Sequence, residues 1–254
     1  MAEHRFHTPE PVELHVKVPI GDIEVETVDG DESVVMLEGS ERILERTTVE
    51  LQGRKLVVEY HGKSRHGITI SIGDLSWRSN ELRVRVRVTV PHGSAANLAN
   101  AAADMQLRGQ FSSLDTKTAS GDLVVSGDVS GNADLKTVSG DVHLQSVGGD
   151  LDVKSVSGDL RADTVGGSVS VKSVSGDVRV ESVSAGTVTV QSVSGDIELG
   201  VAPGTNLDVD AGSVSGDLAS EVPLGSDPVT GGDGPTVVVR GRTVSGDFKV
   251  FRAA

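Results

Sequence analysis

Cysteine is missing from all 254 residues, which excludes disulfides and thiolate metal sites. Aromatics are nearly missing too: 2% of the chain, with Trp77, Tyr60 and four Phe. A core of this chain therefore has to be built from aliphatic side chains, Val above all. No apolar run approaches the roughly 20 residues of a membrane helix, so direct membrane insertion is not expected. The opening "MAEHRFHTPEPVELHVKV" lacks a basic stretch followed by an apolar one, so no signal peptide is read and a cytoplasmic location is expected. Positive charge is in deficit, with 23 Lys and Arg against 37 Asp and Glu, a formal charge of −14. Nucleic acid would be repelled by that excess, which also keeps a β-rich chain soluble. No P-loop, dinucleotide fingerprint or nucleophile elbow occurs. The seven His show no i,i+2 or i,i+4 metal pair; His61 and His66 only flank a Gly/Lys/Arg loop. No catalytic residue and no cofactor is assigned.

What is present is repetition. On the beat of the repeat the triplet Ser-Gly-Asp starts at Ser120, Ser139, Ser157, Ser175, Ser194, Ser215 and Ser245, at intervals of 19, 18, 18, 19, 21 and 30, with one further copy off the beat at Ser126. Degenerate versions lie between, so that Gly131, Gly140, Gly149, Gly158, Gly167 and Gly176 each follow the last by nine. Apolar residues fall two, four and seven positions after the glycine: Val142, Leu144 and Val147 after Gly140; Leu151, Val153 and Val156 after Gly149. The pair two apart is strand alternation, and no helical spacing is present. Nine residues hold one short strand and one corner. Such a unit cannot bury its own apolar row, so units must stack. Intact Ser-Gly-Asp in every second unit makes the coil about 18 residues, with two unlike halves and a rise of roughly 4.8 Å. The chain is predicted to be all-β, a parallel β-solenoid.

The corner letters have structural roles. Gly121, Gly140, Gly158, Gly176, Gly195, Gly216 and Gly246 supply corners that a Cβ would obstruct. Asp122, Asp141, Asp159, Asp177, Asp196, Asp217 and Asp247 supply oxygens for backbone N–H groups in tight turns and form an acidic edge. Calcium is not expected: calcium-loaded β-rolls use G-G-x-G-x-D, whereas here Asp follows Gly directly. Before the closing Val comes a hydroxyl (Thr137, Ser146, Ser155, Thr164, Ser173, Ser182, Ser192, Thr243), expected to bond to its counterparts across coils. Lys136, Lys154 and Lys172 form a stripe beside Asp134 and Asp152. Sugar-cleaving solenoids carry carboxylates and Arg on one face; Asp163, Glu181 and Arg179 can be placed near each other, as can many pairs in an acidic ladder, but the repeat region has almost none of the aromatic platforms of a sugar site.

The register extends backwards, placing Leu114 and Thr116, Met105 and Leu107, and Ala96 and Leu98 inside. "SAANLANAAADMQL" is thus read as strand against its helical propensity. Residues 94–254 form the repetitive solenoid, with a loop insertion near 222–236. Residues 1–93 form a less regular β-rich cap continuous with it, in which "GITISI" and "ELRVRVRVTV" alternate as strands while "HGKSRHG" and "GDLSWRSNE" are loops. In "ELRVRVRVTV", Arg83, Arg85 and Arg87 point away from Val84, Val86 and Val88. At the far end, Phe248 and Phe251 are expected to plug the last coil.

The run of SGD-valine units, preceded by a strand ending in "VTVPHGS" and closed by "GRTVSGDFKVFRA", resembles the bacterial DUF4097 proteins. That family is provisionally labelled adhesin and is related to the toastrack domains found with envelope-stress membrane proteins. The resemblance spans nearly the whole chain and implies a β-solenoid without an established catalytic site. The expected function is a non-enzymatic scaffold or protein-binding module, with a protein partner or self-association. The alternatives are a self-assembling structural protein similar to the bactofilins, or a carbohydrate-binding adhesin.

Overall fold

The computed structural model describes residues 1–62, 83–221 and 234–253. The readings of "GITISI" and "GDLSWRSNE", of "HGKSRHG" beyond its first two residues, and of most of the 222–236 insertion fall outside those residues. The described chain is a parallel β-solenoid, with twenty strands and one short helix, Glu41–Leu44.

Each coil of the repetitive part contributes one strand to each of two parallel ladders. The first ladder runs β9 (Ala133–Lys136), β11 (Leu151–Lys154), β13 (Val169–Lys172) and β15 (Gly186–Gln191). The second runs β8 (Leu123–Val129), β10 (Val142–Val147), β12 (Leu160–Val165), β14 (Val178–Val183) and β16 (Ile197–Val201). Register is in step with the repeat, Leu151 opposite Val169 and Val188, and Leu160 opposite Val178 and Ile197. Inward side chains of the two ladders make one continuous aliphatic core. Ala96, Leu98, Met105, Leu107, Leu114 and Thr116 are all buried in it. "SAANLANAAADMQL" lies within the long strand β7 (Ser94–Lys117). Its helical propensity is outweighed by the apolar face that strand geometry lets it bury.

The N-terminal part continues both ladders and then changes hand of pairing. β2 (Glu13–Val28) runs parallel to β7, and on its other side parallel to β5 (Lys55–Tyr60) and β6 (Arg83–Pro91). β4 (Thr47–Gln52) then adds antiparallel to β5. β3 (Glu32–Gly39) adds antiparallel to β6, and β1 (Ala2–His7) antiparallel to β3. Val84, Val86 and Val88 are buried, while Arg83, Arg85 and Arg87 face out and pair with Asp22, Glu24 and Glu38.

The C-terminal end corrects the expected coil order. After β16 the chain skips a level: β17 (Asn206–Ser215) and β18 (Leu218–Ser220) form the outermost coil. β19 (Thr236–Ser245) and β20 (Phe248–Arg252) come back between it and the β15–β16 coil, parallel to both neighbours. The last coil in sequence is therefore the last but one in space. Phe248 does not plug an end; it lies fully buried between Ile197 and Leu218. Its ring occupies space that only a glycine at 241 leaves open, since a Cβ there would lie 2.0 Å from a ring carbon. Arg252 fastens the connector that skips the level, donating to the carbonyls of Ala202 at 3.1 Å and Thr205 at 3.0 Å.

Candidate functional edge

The coil has two corners of different construction. Opposite Ser-Gly-Asp is a tight one, Gly148–Asp150 or Gly166–Ser168, in which the preceding valine is core: Val147, Val165 and Val183 are each at most 1% exposed. Side-chain oxygens ladder along this corner, Asn132 accepting from the Asp150 N–H and Asp150 from the Ser168 N–H.

The Ser-Gly-Asp corner is wider, and its aspartates make a regular ladder. The Asp141 N–H donates to Asp122 Oδ1 at 2.9 Å, Asp159 to Asp141 at 2.9 Å, Asp177 to Asp159 at 2.9 Å and Asp196 to Asp177 at 2.8 Å. The inserted coil keeps the series, Asp247 donating to Asp196 and Asp217 to Asp247, each at 2.9 Å. The carboxylates of Asp122, Asp141, Asp159, Asp177, Asp196 and Asp247 thus each accept from the backbone of the neighbouring coil, while Asp217, in the outermost coil, only donates. The glycines approach each other as closely: at Gly158, φ is +113° and a Cβ would meet the Gly140 carbonyl oxygen at 2.3 Å. Among the described residues no three His, Asp or Glu side chains gather into a metal-binding group.

The hydroxyls before the valine do not bond to each other. Thr164, before the tight corner, is exposed and donates across coils to the Gln145 carbonyl at 3.2 Å. The five before the wide corner turn inward and donate within their own corner, Thr137 to the Ser139 carbonyl, Ser155 to Ser157, Ser173 to Ser175, Ser192 to Ser194 and Thr243 to Ser245, at 3.0 to 3.2 Å. The hydroxyl points inward to satisfy a turn carbonyl that would otherwise be left unpaired. Strand alternation then forces the next residue outward. That residue is valine, and Val138, Val156, Val174, Val193, Val244 and Val214 are 51%, 47%, 49%, 49%, 50% and 82% exposed. Six apolar side chains therefore stand in one row on the outside, spanning about 24 Å at the spacing of paired strands.

The row is flanked by charge of opposite sign. On one side run Lys117, Lys136, Lys154 and Lys172 in register, continued by Gln191 and Arg242. On the other side stand the exposed corner aspartates. Three lysines lean on carboxylates of their own coil, Lys117 on Asp115, Lys136 on Asp134 and Lys154 on Asp152. The Asp134 hydrogen bond holds the Lys136 ammonium above its ordinary pKa range. Lys172 has Ser170 at the corresponding position and no ion pair among the described residues. Towards the N-terminal end the row opens into a groove of about 770 Å³ walled by Val18, Pro19, Tyr60, Ala101 and Val138.

The trio a sugar-cleaving site would use is brought together, but as an ion-pair network on an open face. Arg179 bonds Glu181 at 2.6 Å and also Glu198, while Arg161 reaches Asp163 at 3.4 Å and Glu181 at 3.0 Å. The Arg179 hydrogen bond lowers the Glu181 pKa below the ordinary carboxylate range. That is the reverse of the raised carboxyl a glycosidase needs as its acid.

The exposed valines were available to sequence reasoning and were missed. Counting from the glycine puts Val147 and Val156 at the same place in their units; the letters that follow separate them. Valine before Gly-Gly is core, and valine before a Ser-Gly-Asp that forms the wide corner is surface; Val125, before the Ser126–Asp128 copy that lies inside a strand, is core.

A stacked, cysteine-free parallel solenoid with a structural ladder at one corner and an apolar row outside it belongs to the class of β-repeat solenoid proteins. More particularly, a family model, the toastrack DUF4097 model, matches residues 12–251, and the chain belongs to that family. A search of curated proteins finds no match. Two crystal structures share the fold. A protein of Bacteroides fragilis provisionally described as an adhesin is 13% identical, with a TM-score of 0.57 over 98% of this chain and 96% of its own. A protein of Parabacteroides distasonis provisionally described as lipid-binding is 11% identical, with a TM-score of 0.51 over 100% of this chain and 96% of its own. At such identities the likeness is one of fold.

Proposed function

We propose that the protein is a non-enzymatic binding scaffold that engages a partner along its valine edge. The observation that carries this reading is the row of six surface valines, Val138 to Val214, held at the regular spacing of the coils. Soluble proteins seldom leave an ordered apolar strip of this extent uncovered, and such strips mark interaction sites. The solenoid serves as a ruler. Its core and aspartate ladder fix the valines relative to one another, so little ordering is needed on binding. The provisional descriptions of the two related structures, adhesion and lipid binding, agree with a binding role in kind.

The test compares captures from an extract of the native cell by the wild type, by Val156→Ser/Val174→Ser/Val193→Ser, and by a control changed on the other ladder at His143→Ser. A species retained by wild type and control and lost with the triple variant is expected. Retention by all three, or a glycan-array signal that the triple variant leaves unchanged, would overturn the edge as the site.

A further inference from the structure

We infer that the partner at the valine edge is a second copy of this chain, packed side by side and parallel, with a two-fold axis running along the solenoid. This rests on the edge being the binding site, and it follows from the order of residues around the corner. Four of the six coils present, in sequence, a cation, an outward valine and an aspartate: Lys136, Val138, Asp141; Lys154, Val156, Asp159; Lys172, Val174, Asp177; Arg242, Val244, Asp247; the coils of Val193 and Val214 carry Gln191 and Gly212 in place of the cation. The valine row thus has an acidic flank on every coil and, on the other side, a flank whose charged residues are all basic, interrupted at Gln191 and Gly212.

Two arrangements lay one valine row on another. A two-fold axis perpendicular to the row sets lysine flank against lysine flank and aspartate flank against aspartate flank, which is repulsive throughout. An axis parallel to the row sets each lysine flank against the partner's aspartates, at matching height on every coil, and brings each valine opposite its own counterpart. Opposite charges facing across a contact select the partner and its orientation. The parallel arrangement alone is complementary in charge, and its repeat matches by construction, since both rows come from the same coil spacing. Lys172 is the sharpest case: no carboxylate of its own coil pairs with it, and in the parallel dimer it faces the partner's Asp177 flank. The net charge of −14 disfavours the other occupant a basic flank brings to mind, an anionic membrane. A contact about 24 Å long and one corner wide lies at the small end of specific interfaces, so the dimer is concentration-dependent.

The absence of cysteine makes the arrangement directly readable. Three single variants, Val156→Cys, Val174→Cys and Val193→Cys, are oxidised gently and run on a non-reducing gel. The parallel dimer gives self-cross-links at all three positions, and none between Val156→Cys and Val193→Cys chains when only one dimer type is mixed with the other. The perpendicular axis would give efficient self-linking at one height only and a strong mixed product. In sedimentation, wild type is expected to shift from monomer to dimer by about 500 μM, a range suited to a small interface. Lys172→Asp should weaken that shift several-fold, and Val156→Ser/Val174→Ser/Val193→Ser should abolish it with an unchanged circular dichroism spectrum. A monomer at every concentration, or the perpendicular cross-link pattern, overturns the inference. If the wild type stays monomeric while the triple variant loses its cellular capture, the dimer falls and the scaffold reading stands. If capture survives in the triple variant, the edge itself is wrong.

Discussion

The two corners of one coil start from nearly the same nine-residue phrase and end with opposite valines. At the tight corner, Val165 goes inward and is 1% exposed; at the wide corner, Val156 goes outward and is 47% exposed. The tight corner breaks strict alternation, with Ala162 and Val165 both buried three apart. The wide corner keeps alternation: Leu151 and Val153 point in, Ser155 follows them in, and Val156 is left outside. A buried hydroxyl that satisfies a turn carbonyl displaces a valine onto the surface. The position of a single hydrogen bond thus separates a core residue from a surface edge.

The largest test of this contrast is the same substitution at both corners. Val165→Asp places an unpaired carboxylate in the aliphatic core and should cost several kcal/mol, on the order of 3–5 kcal/mol. Val156→Asp should cost less than about 1 kcal/mol, as surface changes do. Urea midpoints of the two variants measure the difference, and equal midpoints would break the comparison. Next in size is the glycine approach at the wide corner. Gly158→Ala adds a Cβ at 2.3 Å from the Gly140 carbonyl oxygen on top of a positive φ, and should cost more than about 2 kcal/mol. Gly204, with φ +80° and nothing within 4 Å, separates the two causes. Gly204→Ala should cost only the conformational part, about 1 kcal/mol.

The hydroxyls give a smaller effect. Ser173→Ala removes the bond to the Ser175 carbonyl from a buried corner and should cost about 1 kcal/mol by thermal or urea unfolding. Ser182→Ala, at the equivalent place before the tight corner, where the side chain is only half-buried, should cost clearly less. The smallest effect is in acid. Glu181 has its folded pKa depressed by Arg179, so its contribution is present above the unfolded carboxyl pKa and is lost as pH falls through the lower, folded value. Unfolding midpoints of Glu181→Gln should therefore fall less than those of wild type between neutral pH and pH about 3, by a fraction of 1 kcal/mol for so exposed a pair. The melting temperature should not move between calcium and chelator, because the ladder carboxylates already accept backbone N–H groups.

Much of this was legible beforehand. The alternation that buries Leu151 and Val153 and exposes Lys154 is visible in the letters, as is the stacking that a nine-residue unit demands. The backward extension into "SAANLANAAADMQL" was equally readable, because Met105, Leu107 and Leu114 keep the beat although alanine favours helix. The bonding of the hydroxyls was not, since Thr137 is equally able to bond along the axis or within its own turn. Only the turn's backbone geometry shows which carbonyl lies within reach. The valine edge was hidden for the same reason, as its exposure follows from that inward hydroxyl.

The sequence by itself determined the period, the parallel stacking and the inner face of each strand, because these follow from local alternation and from the need of every unit to cover its neighbour. The order of the last coils was decided only in three dimensions. Coils 186–201, 206–220 and 236–252 all carry the strand pattern, and the last two carry the same Ser-Gly-Asp corner, so by pairing alone either could lie next to the first. What distinguishes them is shape and one clamp. Phe248 fits between Ile197 and Leu218 over Gly241, and Arg252 ties down the connector at Ala202 and Thr205. A ladder of identical hydrogen bonds cannot specify sequence order; a ring that fits in one level, and a guanidinium that reaches one turn, can.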